Sequence, residues 1–177
     1  GTLPGLAYRG LPEAEPTAGK GEFVQAELAP VAAAAGGRPG WRAVGTLTKG
    51  NVDTFLFTSF RYPEGVDLSG ADGLAVDTSA PAGQRTAARI LVILQDKENR
   101  QYVADTGRPL SQAGHTQSML PFTAFHQAGW SQGPKGPLDL GTITAINIGG
   151  GGYYGTEGEK VAFTLSAPQA TTLSRKR

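Results

Sequence analysis

The sequence predicts an all-β protein with one antiparallel β-sandwich domain. Short segments in which apolar and polar residues alternate recur along the chain at a spacing of roughly ten residues. Turns rich in glycine and proline separate these segments, and the 177 residues include 26 Gly and 12 Pro. No amphipathic stretch has the period and length of a helix of about ten residues or more. Many short strands between frequent turns are typical of a sandwich.

The composition excludes several classes of partner and of chemistry. The net charge is +1 and only 18% of the residues are charged, so we expect no basic surface for nucleic acid or an anionic membrane. The lack of cysteine excludes disulfides, thiolate metal sites and cysteine nucleophiles. No segment reaches the roughly 18 apolar residues of a membrane-spanning helix, and no signal-peptide pattern opens the sequence. We therefore expect neither nucleic acid nor a membrane as a partner.

The pattern divides the chain into an arm, a sandwich and a tail. Residues 1–21 contain three prolines and little apolar pattern, which predicts a linker or a loose N-terminal arm. Residues 22–170 contain the alternating segments and form the predicted sandwich. Residues 171–177 end in the basic run Arg175–Arg177, which we interpret as a solvated tail.

The predicted strands follow one another through the sandwich. In chain order they are 22–28, 41–47, 51–62, 74–77, 85–96, 101–104, 118–125, 138–148 and 160–165. Strand 51–62 has bulky residues on both faces, as is typical of an inner strand. Residues 29–35 precede a Gly-Gly pair and are predicted to form a loop. We expect Trp41, at the start of a strand, to be a core residue.

Strand 85–96 has the clearest pattern in the chain. One of its faces is entirely apolar and is made of Ala88, Ile90, Val92 and Leu94. Such a face predicts burial in the core, because successive side chains leave opposite faces of a sheet. The other face has Leu91 and Ile93 in its middle and Arg89 and Gln95 at its ends. These two polar groups indicate either contacts with a ligand or a solvated sheet face.

The rest of the chain is organised around a glycine-rich stretch near its C-terminal end. Residues 138–148 predict a strand, and the run Gly149–Gly152 predicts a hinge, because glycine weakens a regular strand. The hinge is expected to present Tyr153 and Tyr154 at an aromatic tip. Residues 160–165, in which apolar and other residues alternate, are expected to form the return strand.

Three phrases of the sequence occur in the order and spacing of a known family. They are Val66–Leu74 (VDLSGADGL), Leu91–Asp96 leading into Tyr102, and Phe125 followed by Gly136–Leu140 and Ile143–Gly149. Together they resemble the jelly-roll carbohydrate-binding modules with a galactose-binding-domain-like fold that are appended to secreted glycoside hydrolases. The resemblance covers residues 22–167. It implies a non-catalytic, secreted, extracellular module that binds a polysaccharide or oligosaccharide and targets an attached catalytic domain of the parent chain.

Aromatic and polar side chains in the predicted loops and strand ends are the candidates for sugar binding. Aromatic rings stack on the apolar face of a pyranose, and polar groups bind its hydroxyls. The candidate residues are Trp130, Tyr153, Tyr154, Tyr62, Tyr102, Arg89 and Gln95. Trp130 and the tyrosine pair flank the predicted strand 138–148, which spans about 30 Å. Unless the strand bends or a long loop folds back, a ligand that contacts both must be an extended chain that crosses several strands. If only one end binds, the ligand is a chain terminus or a short motif.

The resemblance also bears on metal binding. Many such modules hold a structural calcium between an aspartate of the last strand and acidic groups near the first. The position that matches this aspartate is Thr164. Glu22 and Glu27 remain as oxygen donors, but calcium takes six or more oxygen ligands. We therefore expect no cofactor.

The sequence gives little support for a catalytic site. The two histidines, His115 and His126, have no metal-binding spacing, and there is neither a nucleophile elbow nor a phosphate loop. Two carboxylate pairs fall in predicted turns, namely Asp96 with Glu98 and Glu157 with Glu159. We therefore expect a binding module and not an enzyme. Two alternatives stay open: a polysaccharide lyase or hydrolase domain on a β-sandwich, and a protein-interaction or assembly domain of the same fold.

Overall fold

The protein is built from two antiparallel β-sheets that form a sandwich, which confirms the predicted fold class. A computed structural model describes residues 5–153 and 155–173. Within these ranges the chain forms thirteen strands and two single-turn 3₁₀ helices, Ala35–Gly37 and Phe122–Ala124. None of the helices in the described part combines the length and the hydropathy that crossing a membrane requires.

The strands are divided between a seven-stranded and a six-stranded sheet. The first contains β1 (Leu6–Gly10), β3 (Val24–Val31), β4 (Gly40–Leu47), β6 (Gly73–Ala80), β9 (Gly114–Pro121), β12 (Lys160–Ser166) and β13 (Gln169–Leu173). The second contains β2 (Thr17–Lys20), β5 (Thr54–Val66), β7 (Arg89–Asp96), β8 (Gln101–Pro109), β10 (His126–Gln127) and β11 (Ile143–Tyr153). The six-stranded sheet has the order β10-β8-β7-β11-β5-β2, so β7 and β11 lie in its middle.

The core lies between the sheets and consists of the side chains that alternate inwards. Phe60 of β5 and Phe163 of β12, one from each sheet, belong to one buried cluster. Burying a side chain of this kind contributes about 1.5–3 kcal/mol to stability. Trp41 is half-buried and packs edge-on against Phe60, with 5.4 Å between the ring centroids. The predicted apolar face of strand 85–96 is confirmed: Ile90, Val92 and Leu94 of β7 are buried, as is Ala88 just before it.

Most of the predicted N-terminal arm is folded into the sandwich. β1 pairs with β13, and β2 pairs with β5, which corrects the expectation that residues 1–21 form a loose arm. Each of the two strands has a single neighbour in its sheet and therefore needs few apolar residues. Pro12 and Pro16 lie in the connection between them. At the other end β13 continues to Leu173, into the predicted tail.

The glycine run is part of a central strand and not a hinge. β11 continues to Tyr153, and Gly149 pairs with Phe57 on one side and Leu91 on the other. A Cβ atom on Gly149 would lie 2.1 Å from the carbonyl oxygen of Leu56, so the close approach of β5 requires glycine here. The predicted return strand, β12, pairs with β4 and β6 in the other sheet. The chain thus crosses between the sheets after β11.

The chain enters β11 through a turn, so the predicted strand 138–148 is shorter at its start. The Asp139 carboxylate accepts a hydrogen bond from the Gly141 amide at 3.0 Å, and the Thr142 amide donates to the Asp139 carbonyl at 3.3 Å. Such local bonding of an aspartate to the following backbone is typical of turns. The strand therefore begins at Ile143.

Candidate functional site

An open groove crosses the outer face of the six-stranded sheet, opposite the core. It encloses about 620 Å³ and touches β2, β5, β11, β7, β8 and the loop that follows β10. We call it the outer groove. Its principal lining residues are Phe55, Phe57, Ser59, Arg61, Leu91, Ile93, Gln95, Gln101, Trp130 and Asn147.

Strand alternation places these side chains in rows across the sheet. On β5 the odd-numbered residues from Phe55 to Arg61 face outwards, while Phe60 and its even-numbered neighbours face the core. Asn147 of β11 pairs with Ser59 on one side and Ile93 on the other. The register therefore puts a hydroxyl, an amide and an aliphatic side chain side by side on the groove floor.

The floor of the groove is apolar and forms a cluster of its own outside the main core. Ile93 is buried there together with Val103 and Ala128, and Phe57 and Leu91 pack half-buried against them. Phe55 continues this surface: it is 43% exposed, and its ring centroid lies 6.0 Å from that of Phe57. Contiguous apolar surface inside an open groove indicates a binding site.

Polar groups without protein partners lie beside this floor. Within the described residues, the Asn147 amide and the Arg61 guanidinium make neither a side-chain hydrogen bond nor an ion pair. The Ser59 hydroxyl oxygen is buried and has no hydrogen-bond partner. A buried polar group in this state costs about 1–3 kcal/mol. A ligand hydroxyl would satisfy it only if the Ser59 side chain turned towards the groove that it lines.

Trp130 stands at one edge of the groove and is 55% exposed. Several hydrogen bonds fix its loop to the β7–β8 hairpin, and three of them lie close to the tryptophan. Gln101 N donates to Ser131 Oγ at 3.0 Å, Gly133 N to Asn99 O at 3.1 Å, and Arg100 Nε to Pro134 O at 3.2 Å. The ring is therefore presented by an ordered loop, which lowers the entropy that ligand binding must overcome.

Asp96 organises the hairpin that holds this loop. Its side chain is fully buried and accepts hydrogen bonds from the backbone amides of Glu98 and Arg100 at 3.0 and 2.9 Å. It also pairs with the Arg100 guanidinium at 3.2 Å and accepts a bond from the Asp139 amide at 3.0 Å. With its oxygens committed in this way, Asp96 serves the structure and is not available as a general acid.

The structure brings two of the predicted binding residues together in the outer groove, Trp130 and Gln95. The side-chain oxygen Gln95 Oε1 accepts a hydrogen bond from Gln101 Nε2 at 3.3 Å, and Gln95 Nε2 donates to Asn99 Oδ1 at 3.2 Å. Arg89 lies beyond the end of the groove, where it forms an ion pair with Asp105 at 2.7 Å.

Two other predicted binding residues face the core, which corrects the prediction. Tyr62 is 5% exposed, and burial raises its pKa to about 12. Tyr102 pairs with the buried Leu94, packs against the core, and donates its hydroxyl hydrogen to the Gly136 carbonyl. Both tyrosines occupy the inward positions of their strands. Tyr154 lies outside the described residues, and of Tyr153 the structure describes the backbone alone.

Phe55, Phe57, Arg61 and Asn147 line the groove but are not among the predicted binding residues. The signal was present on β5, where Ser59 and Arg61 share one face with the two phenylalanines. Two polar residues on that face indicate solvent, although the bulky residues on both faces of the strand predict an inner strand. On β11, Asn147 stands between two buried isoleucines, which marks its face as the outward one.

The charged groups elsewhere form no metal-binding cluster in the part of the chain that the structure describes. His115 lies on β9 and His126 on β10, in different sheets. The Asp77 carboxylate is within 2.8 Å of His115 Nε2 and 3.0 Å of Arg38 Nη2. Burial alone would raise the pKa of Asp77, but these hydrogen bonds and one from Gln117 lower it below its usual value. No three His, Cys, Asp or Glu side chains cluster within the described ranges.

The place where the resemblance implies calcium does not have the chemistry of a calcium site. Thr164 of β12 pairs directly with Arg42 of β4, so a guanidinium stands beside the position that would carry an aspartate. Glu27 of β3 pairs with Val44, and Val44 pairs with Ala162. Within the described ranges no three His, Cys, Asp or Glu side chains lie close enough together to hold a metal ion, whereas calcium takes six or more oxygen ligands.

The fold of this chain occurs among solved structures, although no similar sequence family is found. No family of known sequences and no curated protein matches the chain. Among solved structures, the family 11 carbohydrate-binding module from Clostridium thermocellum, in complex with a β-1,3-1,4-mixed-linked tetrasaccharide, matches with a TM-score of 0.67 at 15% identity. The match covers 99% of this chain and 100% of that module.

Two further structures show the same architecture. The family 30 carbohydrate-binding module of a cellulosomal cellulase of Clostridium thermocellum has a TM-score of 0.55 at 11% identity, over 92% of this chain and 94% of the module. An agarase, AgWH50C, matches 98% of this chain with a TM-score of 0.53 at 14% identity, but the chain spans only 23% of that enzyme. The chain therefore has the β-sandwich fold of carbohydrate-binding modules.

Proposed function

We propose that this chain is a non-catalytic carbohydrate-binding module that holds an extended polysaccharide in its outer groove. One observation carries the proposal: an apolar floor and polar groups without protein partners lie together in one open groove. A pyranose ring has the complementary surface, because its CH-rich faces are apolar and its hydroxyls need hydrogen-bond partners once they leave water. Phe57 and Trp130 offer the rings, and Ser59, Asn147 and Arg61 offer the polar contacts.

The direction of the groove favours an extended chain as the ligand. The groove runs across the strands, from Phe57 on β5 to Trp130 in the loop after β10. Four strand spacings separate β5 from β10, which corresponds to about 19 Å. Several sugar units in a row fit this length, whereas a single monosaccharide would leave most of the floor exposed to water.

The lining of the groove favours binding without cleavage. Asp53 is the one carboxylate among the described residues that line it. Hydrolysis of a glycosidic bond by acid–base catalysis generally requires two carboxyl groups on either side of that bond. In our proposal the module is extracellular and directs an attached catalytic domain to its polysaccharide. The fold likeness to modules of polysaccharide-degrading enzymes supports this.

The first test is a panel of polysaccharides, including a β-1,3-1,4-mixed-linked glucan, examined by affinity electrophoresis and by a reducing-end assay. We expect retardation by at least one polysaccharide without release of reducing ends, and dissociation constants on the order of micromolar to millimolar. Release of reducing ends would favour the hydrolase or lyase alternative. Retardation by no polysaccharide would overturn the proposal and favour a protein-interaction domain.

A second test locates the site. Phe57→Ala should weaken binding by about 1–3 kcal/mol, because a stacking platform is lost; binding is measured well below the melting temperature of each variant, since Phe57 also packs against the Ile93 cluster. Phe23→Ala is the matched control: Phe23 is also half-exposed, but it packs under Lys49 outside the outer groove. Equal loss in both variants, or no loss in either, would contradict the proposed site.

A further inference from the structure

A second depression adjoins the outer groove at one end. It encloses about 580 Å³ and is lined by Thr86, Ala87, Ala88, Arg89, Leu91, Asp105, Gly151 and Gly152. We call it the rim depression. Leu91, Gly151 and Gly152 line both spaces, so the two are neighbours along the sheet surface with a common boundary.

No side chain rises from the backbone at this boundary where Gly151 and Gly152 form it. A Cβ atom placed on Gly151 would already be in contact with Leu91 Cδ1 at 3.8 Å and with the Phe57 ring at 3.9 Å. A Cβ on Gly152 would meet nothing within 4 Å. The absence of side chains at these two positions leaves a passage over the backbone of β11, between the apolar floor and the rim depression.

The rim depression contains a preorganised pair of polar groups. Arg89 Nη2 lies 2.7 Å from Asp105 Oδ2, and their side chains are 58% and 38% exposed. Asp105 is itself held in place, because its Oδ1 accepts a hydrogen bond from the Gly107 amide at 2.8 Å. A guanidinium has five N–H donors in a rigid plane, so this ion pair leaves Arg89 with donors that face solvent.

We infer that a bound glycan continues past Leu91 into the rim depression, where the Arg89–Asp105 pair binds the hydroxyls of additional sugar units. This inference rests on the proposed function and extends it to a long chain with two contact regions. The pair has no net charge, since Asp105 neutralises Arg89. It therefore favours the neutral hydroxyls of an uncharged polysaccharide over carboxylate or sulfate groups.

The test is calorimetric titration with a ladder of oligosaccharides, from the trimer upwards, of the polysaccharide that binds best. For the wild type we expect the affinity to rise with length until both regions are filled. Arg89→Ala should weaken binding of the longest oligosaccharides by about 5- to 30-fold and leave that of the shortest unchanged. Asp105→Asn should have the same length-dependent effect, because it frees Arg89 from its fixed position.

Arg85→Ala is the matched control, since Arg85 is also exposed and also paired, with Glu159, but lines neither space. A plateau of wild-type affinity at short oligosaccharides would overturn the inference while leaving the proposed function intact. So would an Arg89→Ala loss that is absent or equal at all lengths, in protein with an unchanged melting temperature. Failure of every oligosaccharide and polysaccharide to bind would overturn both.

Discussion

Two adjacent residues of β5, Ser59 and Thr58, allow an effect on glycan binding to be distinguished from an effect on stability. Ser59 and Thr58 each bury a hydroxyl oxygen without a partner, but Ser59 lines the outer groove and Thr58 faces the core. Ser59→Ala should therefore leave stability unchanged or raise it, because replacing an unsatisfied buried group removes its desolvation penalty. We expect the same variant to bind the glycan more weakly, by about 0.5–1.5 kcal/mol.

Thr58→Val is the matched control for this prediction. It removes an equally buried hydroxyl from the opposite face of the same strand, so its effect on stability should have the same sign and its glycan affinity should equal that of the wild type. Thermal unfolding and calorimetric titration of both variants measure the two effects. A Ser59→Ala protein that binds as the wild type would show that the hydroxyl is not a ligand contact.

Asp77 should give the protein a defined sensitivity to acid. Its pKa in the folded state is below its ordinary value of 3.8, so the unfolded chain takes up a proton at a higher pH than the folded one. The stability from this group is therefore complete above pH 3.8 and is lost as the pH falls through 3.8 towards the folded pKa. In urea unfolding at a series of pH values, Asp77→Asn should show a shallower loss of stability in this window. Parallel curves would contradict the prediction.

At the scale of structural elements, the Trp130 loop approaches the backbone of the β7–β8 hairpin closely at Gly133. A Cβ atom on Gly133 would lie 2.4 Å from the Glu98 carbonyl oxygen and 2.6 Å from the Arg100 amide nitrogen. Gly133→Ala should therefore displace the loop and weaken glycan binding as much as Trp130→Ala does, about 1–3 kcal/mol. The double variant should then lose no more than either single variant. Additive losses would show that the loop does not act through Trp130.

Among the strands, the sequence predicts those in which apolar and polar residues alternate clearly. It does not predict the strands that are stabilised mainly by pairing with a neighbouring strand. β7 is evident because it is central and alternates cleanly between the core and the groove. β1 and β2 are hidden because an edge strand is stabilised largely by backbone pairing, which leaves little trace in side-chain polarity. The four consecutive glycines of β11 predict a hinge, because nothing in the local sequence indicates how closely β5 approaches them.

For the whole molecule, the first twenty residues should matter to both stability and binding. β1 extends one sheet and β2 extends the other, and residues 17–19 of β2 line the outer groove. A chain that begins at Gly21 should melt at a lower temperature, by about 2–4 °C for each kcal/mol lost, and should bind glycan more weakly. A chain that begins at Gly5 keeps both strands and serves as the control. Equal melting and binding of the two chains would contradict this.

The fold of the whole molecule is predictable from the sequence, whereas the residues that line the outer groove are predictable only in part. Trp130 and Gln95 can be expected outside the core because an aromatic residue in a glycine-rich loop and a polar residue on a strong strand are local signals. Tyr62 and Tyr102 were assigned to the site by residue type, although their position in the alternation puts them in the core. Which sheet face is outward depends on the pairing of both sheets, and that information is spread over the whole chain.

The two tryptophans, finally, differ in environment in a way that gives the protein an internal optical signal. Trp130 is more than half exposed at the groove, whereas Trp41 packs against Phe60 away from it. A sugar that covers Trp130 removes water from its ring, so its fluorescence should shift to shorter wavelength and become less accessible to acrylamide. The emission of Trp41 should stay constant and serve as an internal reference. Occupancy of the groove can therefore be followed in unlabelled protein.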